Sequence, residues 1–310
     1  MIPDFDDAIA LTPTPNNPYL FSGTIKQNQW SINKAPNGGI LSALCMKAGS
    51  LALKNYQKLV LKNTEEPWFP HPLSANLHFL KVSGYGERQF KVEVQKTSKQ
   101  YAQVVIKMTK TQTDTSPIIM CMAWFGKLNS NPNAWVYESD GTTLDMSKVV
   151  SKDELLDQFH GKPADALNSL TLYRSIDVRL LPDDQENKKK ERAWISFRNG
   201  RPMDDIFSLS FVIDALIPHP ITILEFDETS RVRKGLNWYP TMSLDIIFHR
   251  LPDEGNIWVY ETFDTVSAHD GIFEEVCKTY DPNGRLLVSG RQFAGIVPIS
   301  KAQEKMRSKL

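Results

Sequence analysis

Apolar residues along this chain fall into two alternating patterns that recur in the same order in each half. The stretch "WFPHPLSANLHFLKV" (68–82) has a counterpart in "WYPTMSLDIIFHRLP" (238–252). Each opens Trp-aromatic-Pro and reaches Phe ten or eleven residues later, with apolar positions roughly alternating between, the period of a half-buried strand. Ahead of the first lies "APNGGILSALCMKAGSLALKN", where Ile40, Leu41, Leu44, Ala48 and Leu51 follow a helical period behind an Asn-Gly-Gly entry. Ahead of the second lies "MDDIFSLSFVIDALIPHP". There Ile206, Phe207, Leu209, Ser210, Ile213 and Leu216 predict a second apolar helix, entered at Asp-Asp and stopped by prolines. Strand-rich text follows each: "RQFKVEVQKTSKQYAQVVIKMTKTQ" with "IIMCMAWFG", then "NIWVYETFDTVSAHDGIFEEVCKTYDPNGRLLVSGRQFAGIV", whose "DPNG" marks a turn. Each half therefore reads as a strand, one long apolar helix and four antiparallel strands, an α+β arrangement.

The polar stretches set boundaries. Residues 1–130 form an N-terminal unit, 131–168 a connecting segment, 169–300 a C-terminal unit and 301–310 a tail. A second polar run, "PDDQENKKKERA" (182–193), is expected to be a solvated hairpin loop whose lysines face water.

Composition removes several alternatives. Of 310 residues 41% are hydrophobic, enough for a sizeable core, and 36 basic side chains balance 36 acidic ones. No net field draws the chain to nucleic acid or to an anionic membrane. No stretch has the ~18 uninterrupted apolar residues of a membrane span. The start is acidic and broken by prolines, unlike a secretory or mitochondrial leader. Cys45, Cys121 and Cys277 are odd in number, far apart and set among apolar residues, which fits reduced core thiols. His71, His78, His160, His249 and His269 have no metal-ligand spacing, so no metal and no redox cofactor is expected. A nucleophilic Ser elbow of the G-x-S-x-G type does not occur. The last three residues, Ser308-Lys309-Leu310, read as a peroxisomal import address.

With these segments in order, the sequence resembles the double-hotdog acyl-CoA thioesterases of the thioesterase II type. The resemblance runs from about 17 to 297 and is carried by "NGGILSAL", "WISFRNGRPMDDIFSLSFVIDAL", "YPTMSLDIIFHR" and "GRLLVSGRQFAGIV". It implies two tandem hotdog units, each an antiparallel sheet wrapped round one long helix. It also implies hydrolysis of acyl-CoA to free acid and CoA with no covalent intermediate. Water would be activated by Asp214, within the second apolar helix, and positioned by Thr241 and Gln292. Thr241 is less firmly matched, because "TMSLDIIFHR" lacks the family's Asp-His after the hydroxyl residue, and Ser243 competes by register. The oxyanion is assigned to backbone N–H groups about Gly38 and Gly39, and the resemblance implies a homo-oligomer. The expected partners are an acyl-CoA substrate and the peroxisomal import receptor.

The residues support this chemistry independently. A carboxylate among Phe, Val, Ile and Leu is costly to bury, and desolvation makes it a better base near neutral pH. A Gln amide can donate to the carboxylate and accept from water. Two rivals stay open. A hotdog enoyl-CoA hydratase would use Asp214 and His219, five apart, but expects an Asn and a Pro where this chain has Leu216 and Ile217. Its motif also opens the helix, whereas Asp214 is expected well inside. His219 then reads as a helix-end residue beside the C-terminal carbonyls. The other rival is a double hotdog that binds acyl-CoA without turning it over.

Overall fold

The computed structural model describes residues 2–32, 35–63, 66–128, 150–151, 171–180, 190–215 and 237–298. The connecting segment (bar Val150–Ser151), His160, Leu216 to His219, the lysine-rich run up to residue 189 and Ser308–Leu310 lie outside the described residues.

The N-terminal unit begins with a one-turn helix α1 (Phe5–Ala8), then β1 (Thr12–Thr14), β2 (Asn17–Ile25) and the short pair β3 (Ser31–Ile32) and β4 (Ala35–Pro36). Helix α2 (Gly38–Leu59) follows, capped by Asn37, whose side-chain oxygen accepts from the N–H groups of Gly39 and Ile40. Its Leu- and Ala-rich sequence favours helix and buries residues on most of its circumference, so it serves as a central core helix. Strands β5 (His71–Phe79), β6 (Gly86–Thr97), β7 (Ala102–Thr109) and β8 (Ile119–Gly126) wrap it.

The C-terminal unit repeats the plan with differences. A two-residue strand β9 (Val150–Ser151), within the connecting segment, pairs with β10 (Ile176–Leu180), which pairs with β11 (Lys190–Phe197). More than the one expected strand precedes the helix in each unit, β1 to β4 before α2 and β10 and β11 before the second helix, and the end of the lysine-rich run belongs to β11 rather than to a loop. Helix α3 (Ile206–Val212) is capped by Asp205, and its C-cap is Ile213. After the short strand β12 (Asn237–Trp238) come β13 (Thr241–Phe248), β14 (Val259–His269), β15 (Ile272–Tyr280) and β16 (Leu286–Gly295), then β17 (Val297–Pro298) against β12. The Asp-Pro-Asn-Gly turn joins β15 to β16. Asp281 Oδ1 accepts from the N–H groups of Asn283 and Arg285, and Gly284 takes the positive φ of 80° that glycine tolerates.

Among the described residues one antiparallel sheet of thirteen strands runs β1-β2-β6-β7-β8-β5-β13-β16-β15-β14-β11-β10-β9. Its seam is the pairing of β5 with β13, the two stretches whose repetition is visible in the sequence. Asn76 lies opposite Asp245 at the seam, and its side-chain amide donates to the Asp245 carboxylate. Each seam strand bulges at an equivalent place, about Leu73 in β5 and about Met242 in β13. Counted from the bulges, Asn76 and Asp245 are equivalent positions, so an approximate twofold axis passes through their pair. The core is continuous across it, from Phe90, Ile106 and Phe125 to Leu209, Phe211 and Ile246.

Candidate active site

The base and its partners come from four elements that meet across the seam. Asp214 lies past the end of α3, not well inside a helix as its apolar setting suggests. Its N–H reaches Phe211 O at 3.3 Å and the N–H of Ala215 reaches Val212 O at 2.8 Å, a tight turn succeeding the helix. The aspartate is only 8% exposed. Thr241 opens β13, and Gln292, on the buried face of β16, lies opposite Leu244.

These three side chains close a circuit. Gln292 Nε2 donates to Asp214 Oδ1 at 2.9 Å and to Thr241 Oγ1 at 2.6 Å, while Thr241 Oγ1 donates to Asp214 Oδ1 at 3.4 Å. Both amide hydrogens of Gln292 are thereby used, which fixes the orientation of the group. The bulge at Met242 selects Thr241 over Ser243. Met242 is an exposed extra residue; Leu244 and Ile246 keep the inner face, and Ser243 falls on the outer register with Asp245 and Ile247.

The other carboxylate oxygen meets the first unit. Asn37 Nδ2 donates to Asp214 O at 2.7 Å and to Asp214 Oδ2 at 3.3 Å, while its Oδ1 caps α2. Gly38 borders Oδ2 so closely that a Cβ there would lie 2.6 Å from it, and Phe79 flanks the same spot. The two glycines play different parts. The Gly39 N–H donates to Asn37 Oδ1 at 2.9 Å and also acts on the Asp214 carboxylate, and a Cβ on Gly39 would strike Phe211 O at 2.1 Å. Gly39 therefore permits the close approach of α2 to the end of α3, and Gly38 faces the carboxylate.

Burial pushes the Asp214 carboxyl up to about 7, against the pull of the Gly39 amide, the Thr241 hydroxyl, the Gly38 amide and the Gln292 amide. The result is a carboxylate that gains or loses its proton near neutrality. Among the described residues no group of His, Cys, Asp and Glu is placed to hold a metal ion, and no helix is long and apolar enough to cross a membrane.

The same constellation is absent from the first unit. Nine positions past the N-cap, where α3 is followed by Asp214, α2 carries Met46. The residue before the bulge is Pro72 instead of Thr241, and the partner of Ala75 is Ala123, where Leu244 has Gln292. All three replacements lack a proton-transfer group, so the polar circuit occurs once.

The contact of Asn37 with Asp214 has no sequence signature: an N-cap is visible in sequence, but its reach across 177 positions is not. A buried polar row also lies beside the site. Glu275 lies opposite Gln292 and accepts from Thr265 Oγ1 at 3.2 Å, and Glu261 is fully buried. Their signal is present, since alternation places both glutamates among inward apolar positions of "VYETFDTV" and "IFEEVCKTY".

Two apolar helices in one continuous antiparallel sheet, with a carboxylate, a hydroxyl and an amide converging near the seam, define a double hotdog with a polar site between its units. The N-terminal domain of acyl-CoA thioesterases matches residues 27–126 and their C-terminal domain matches residues 152–296, so the chain belongs to the acyl-CoA thioesterase family. Solved structures share the architecture. A candidate thioesterase II from Thermobifida fusca YX superposes with a TM-score of 0.71 at 17% identity, covering 95% of this chain and 98% of that one. A hot dog fold protein of unknown function from Alicyclobacillus acidocaldarius gives 0.68 at 18%, covering 94% and 97%. An acyl-CoA thioesterase II from Mycobacterium marinum gives 0.65 at 12%, covering 95% and 99%. At these identities the likeness is one of fold. No curated protein sequence matches the chain significantly.

Proposed function

We propose that the chain hydrolyses acyl-CoA thioesters in the peroxisome by general-base activation of water, with Asp214 as the base. The observation that carries this reading is the convergence of Gln292 and Thr241 on Asp214 Oδ1, while Oδ2 lies beside Gly38 at the start of α2. A water held by Asp214, Thr241 and Gln292 gives a proton to the carboxylate as its oxygen attacks the thioester carbonyl carbon. The tetrahedral oxyanion is stabilised by backbone N–H groups about Gly38 and Gly39, at the positive end of α2. Breaking the C–S bond releases CoA thiolate, which takes the proton, and the free acid leaves.

A hydrolysis screen across acyl-CoAs of increasing chain length, on wild type and Asp214→Asn, tests the assignment. The variant is expected to lose at least about 100-fold in kcat. Equal activity in the two proteins would rule Asp214 out as base. Binding of CoA esters by a wild type that hydrolyses none would instead favour the non-catalytic binding protein.

The import address supports the peroxisomal location. Deleting Leu310 is expected to leave activity intact and the protein in the cytosol, as seen by fluorescence microscopy of a tagged chain; persistent import would show that Ser308-Lys309-Leu310 is not the signal. Self-association is supported by the outer sheet face near the seam, where Met120, Met122, Ile247 and Phe293 are exposed.

A further inference from the structure

The N-terminal segment takes no part in the chemistry above, yet two of its side chains are buried where the site is assembled. Helix α1 is a single turn capped by Asp4, and it places Phe5 and Ile9 wholly out of solvent. The Phe5 ring enters an aromatic cluster, with its centroid 4.8 Å from Phe197, 5.5 Å from Phe211 and 5.7 Å from Trp30. Trp30 meets Phe211 edge to face at 5.3 Å.

Two of these neighbours hold the site through their backbones. Trp30 O accepts the Asn37 N–H at 2.9 Å, at the cap that bonds Asp214. Phe211 O accepts the Asp214 N–H at 3.3 Å and lies against Gly39. Trp30 also sits in the left-handed region at φ 51°, 3% exposed, and its indole N–H has no hydrogen-bond partner among the described residues. A bulky residue held in that region is strained and persists only where its surroundings over-determine it. Here the rings of Phe5, Phe197 and Phe211 supply the confinement.

Arg201 ties the segment down. Its guanidinium forks onto Asp6 with two bonds of 2.8 Å, reaches Asp205 at 2.5 Å, and lies over the Phe5 ring at 4.9 Å. Asp205 is in turn the N-cap of α3, so the same network anchors the helix that leads to the base.

We propose that the segment Asp4–Ile9 belongs to the catalytic assembly, with Phe5 as a positioning residue that acts through Trp30 on Asn37 and through Phe211 on Asp214. This rests on the thioesterase reading for its kinetic consequence, but not for its structural one.

The test uses the full chain with Phe5→Ala, Phe5→Leu and Phe90→Ala, the last opening a comparable cavity in the first unit on β6. Phe5→Ala is expected to lower kcat for acyl-CoA hydrolysis about 10–100-fold while KM changes less than about threefold. It should also speed amide exchange at Asn37 and Asp214. Phe5→Leu, which returns most of the apolar volume, should recover most of kcat. Phe90→Ala should lower the melting temperature without moving kcat or exchange at those two amides. The proposal is overturned if Phe5→Ala loses thermal stability alone. If that variant does not fold, Asp6→Asn, which loosens the Arg201 anchor from an exposed position, is read by the same exchange measurement, and unchanged protection at Asn37 and Asp214 overturns the proposal. A wild type without thioesterase activity would remove the functional reading, while amide exchange would still decide the positioning role.

Discussion

Asp214 is costly for the fold in the ionised state that the proposed chemistry requires. Burial raises its carboxyl from 3.8 to about 7, so at neutral pH about half the molecules carry the base in working form. The logarithm of kcat/KM is expected to rise with pH and level off above about pH 8, with a midpoint near 7 if Asp214 alone controls it. Stability should move the other way. The folded state holds the proton up to about pH 7 and the unfolded chain releases it near 3.8, so between these values the folded state binds more protons. Stability therefore falls as pH rises through this window, by at most about 4 kcal/mol from this group. Denaturant unfolding of wild type and Asp214→Asn at pH 5 and pH 8 checks the sign. The variant, with nothing to ionise there, should lose less stability on going to pH 8, and parallel losses would refute the shifted carboxyl.

Strand β13 shows how a single extra residue decides which side chain can serve the site. Simple alternation back from Leu244 would carry Met242 to the inner face. The bulge removes Met242 from the alternation and turns Thr241 inward, where its hydroxyl accepts from Gln292 and donates to Asp214. Thr241→Ala is expected to cost about 10-fold or more in kcat, whereas Ser243→Ala should stay within about twofold of wild type. Steady-state kinetics on the two variants distinguishes them, and a reversed order would show that the register is misassigned. Helix α2 makes the complementary point. Its apolar run and Asn-Gly-Gly entry predict a helix, and the helix is there, but the value of Gly39 lies in its approach to Phe211 O, a residue of the other unit.

The duplication leaves the molecule with two equivalent places and one polar circuit. The seam pairs β5 with β13, and the first unit's counterparts of Asp214, Thr241 and Gln292 are Met46, Pro72 and Ala123. The surviving site still needs both units, because Asn37 and Gly38 come from the first and the base from the second. Calorimetric titration with a non-hydrolysable thioether analogue of acyl-CoA is expected to show one site per chain. Two equal sites would mean that the first unit binds substrate without the polar residues identified here.

Resemblance to a known family pointed to the residues of the circuit; the sequence by itself determined the repetition, the α+β character and the two helix entries. Those features rest on local physics: alternation, helical period, capping side chains and turn chemistry act over a few positions and can be read in order along the chain. Tertiary structure alone decided that Asp214 stands beyond α3, that Asn37 reaches it, that Gly38 and Gly39 have separate tasks and that Phe5 is packed behind them. Each of these depends on the distance between groups tens to hundreds of residues apart. That distance is fixed by strand register and ring packing at the seam, and no local pattern records it.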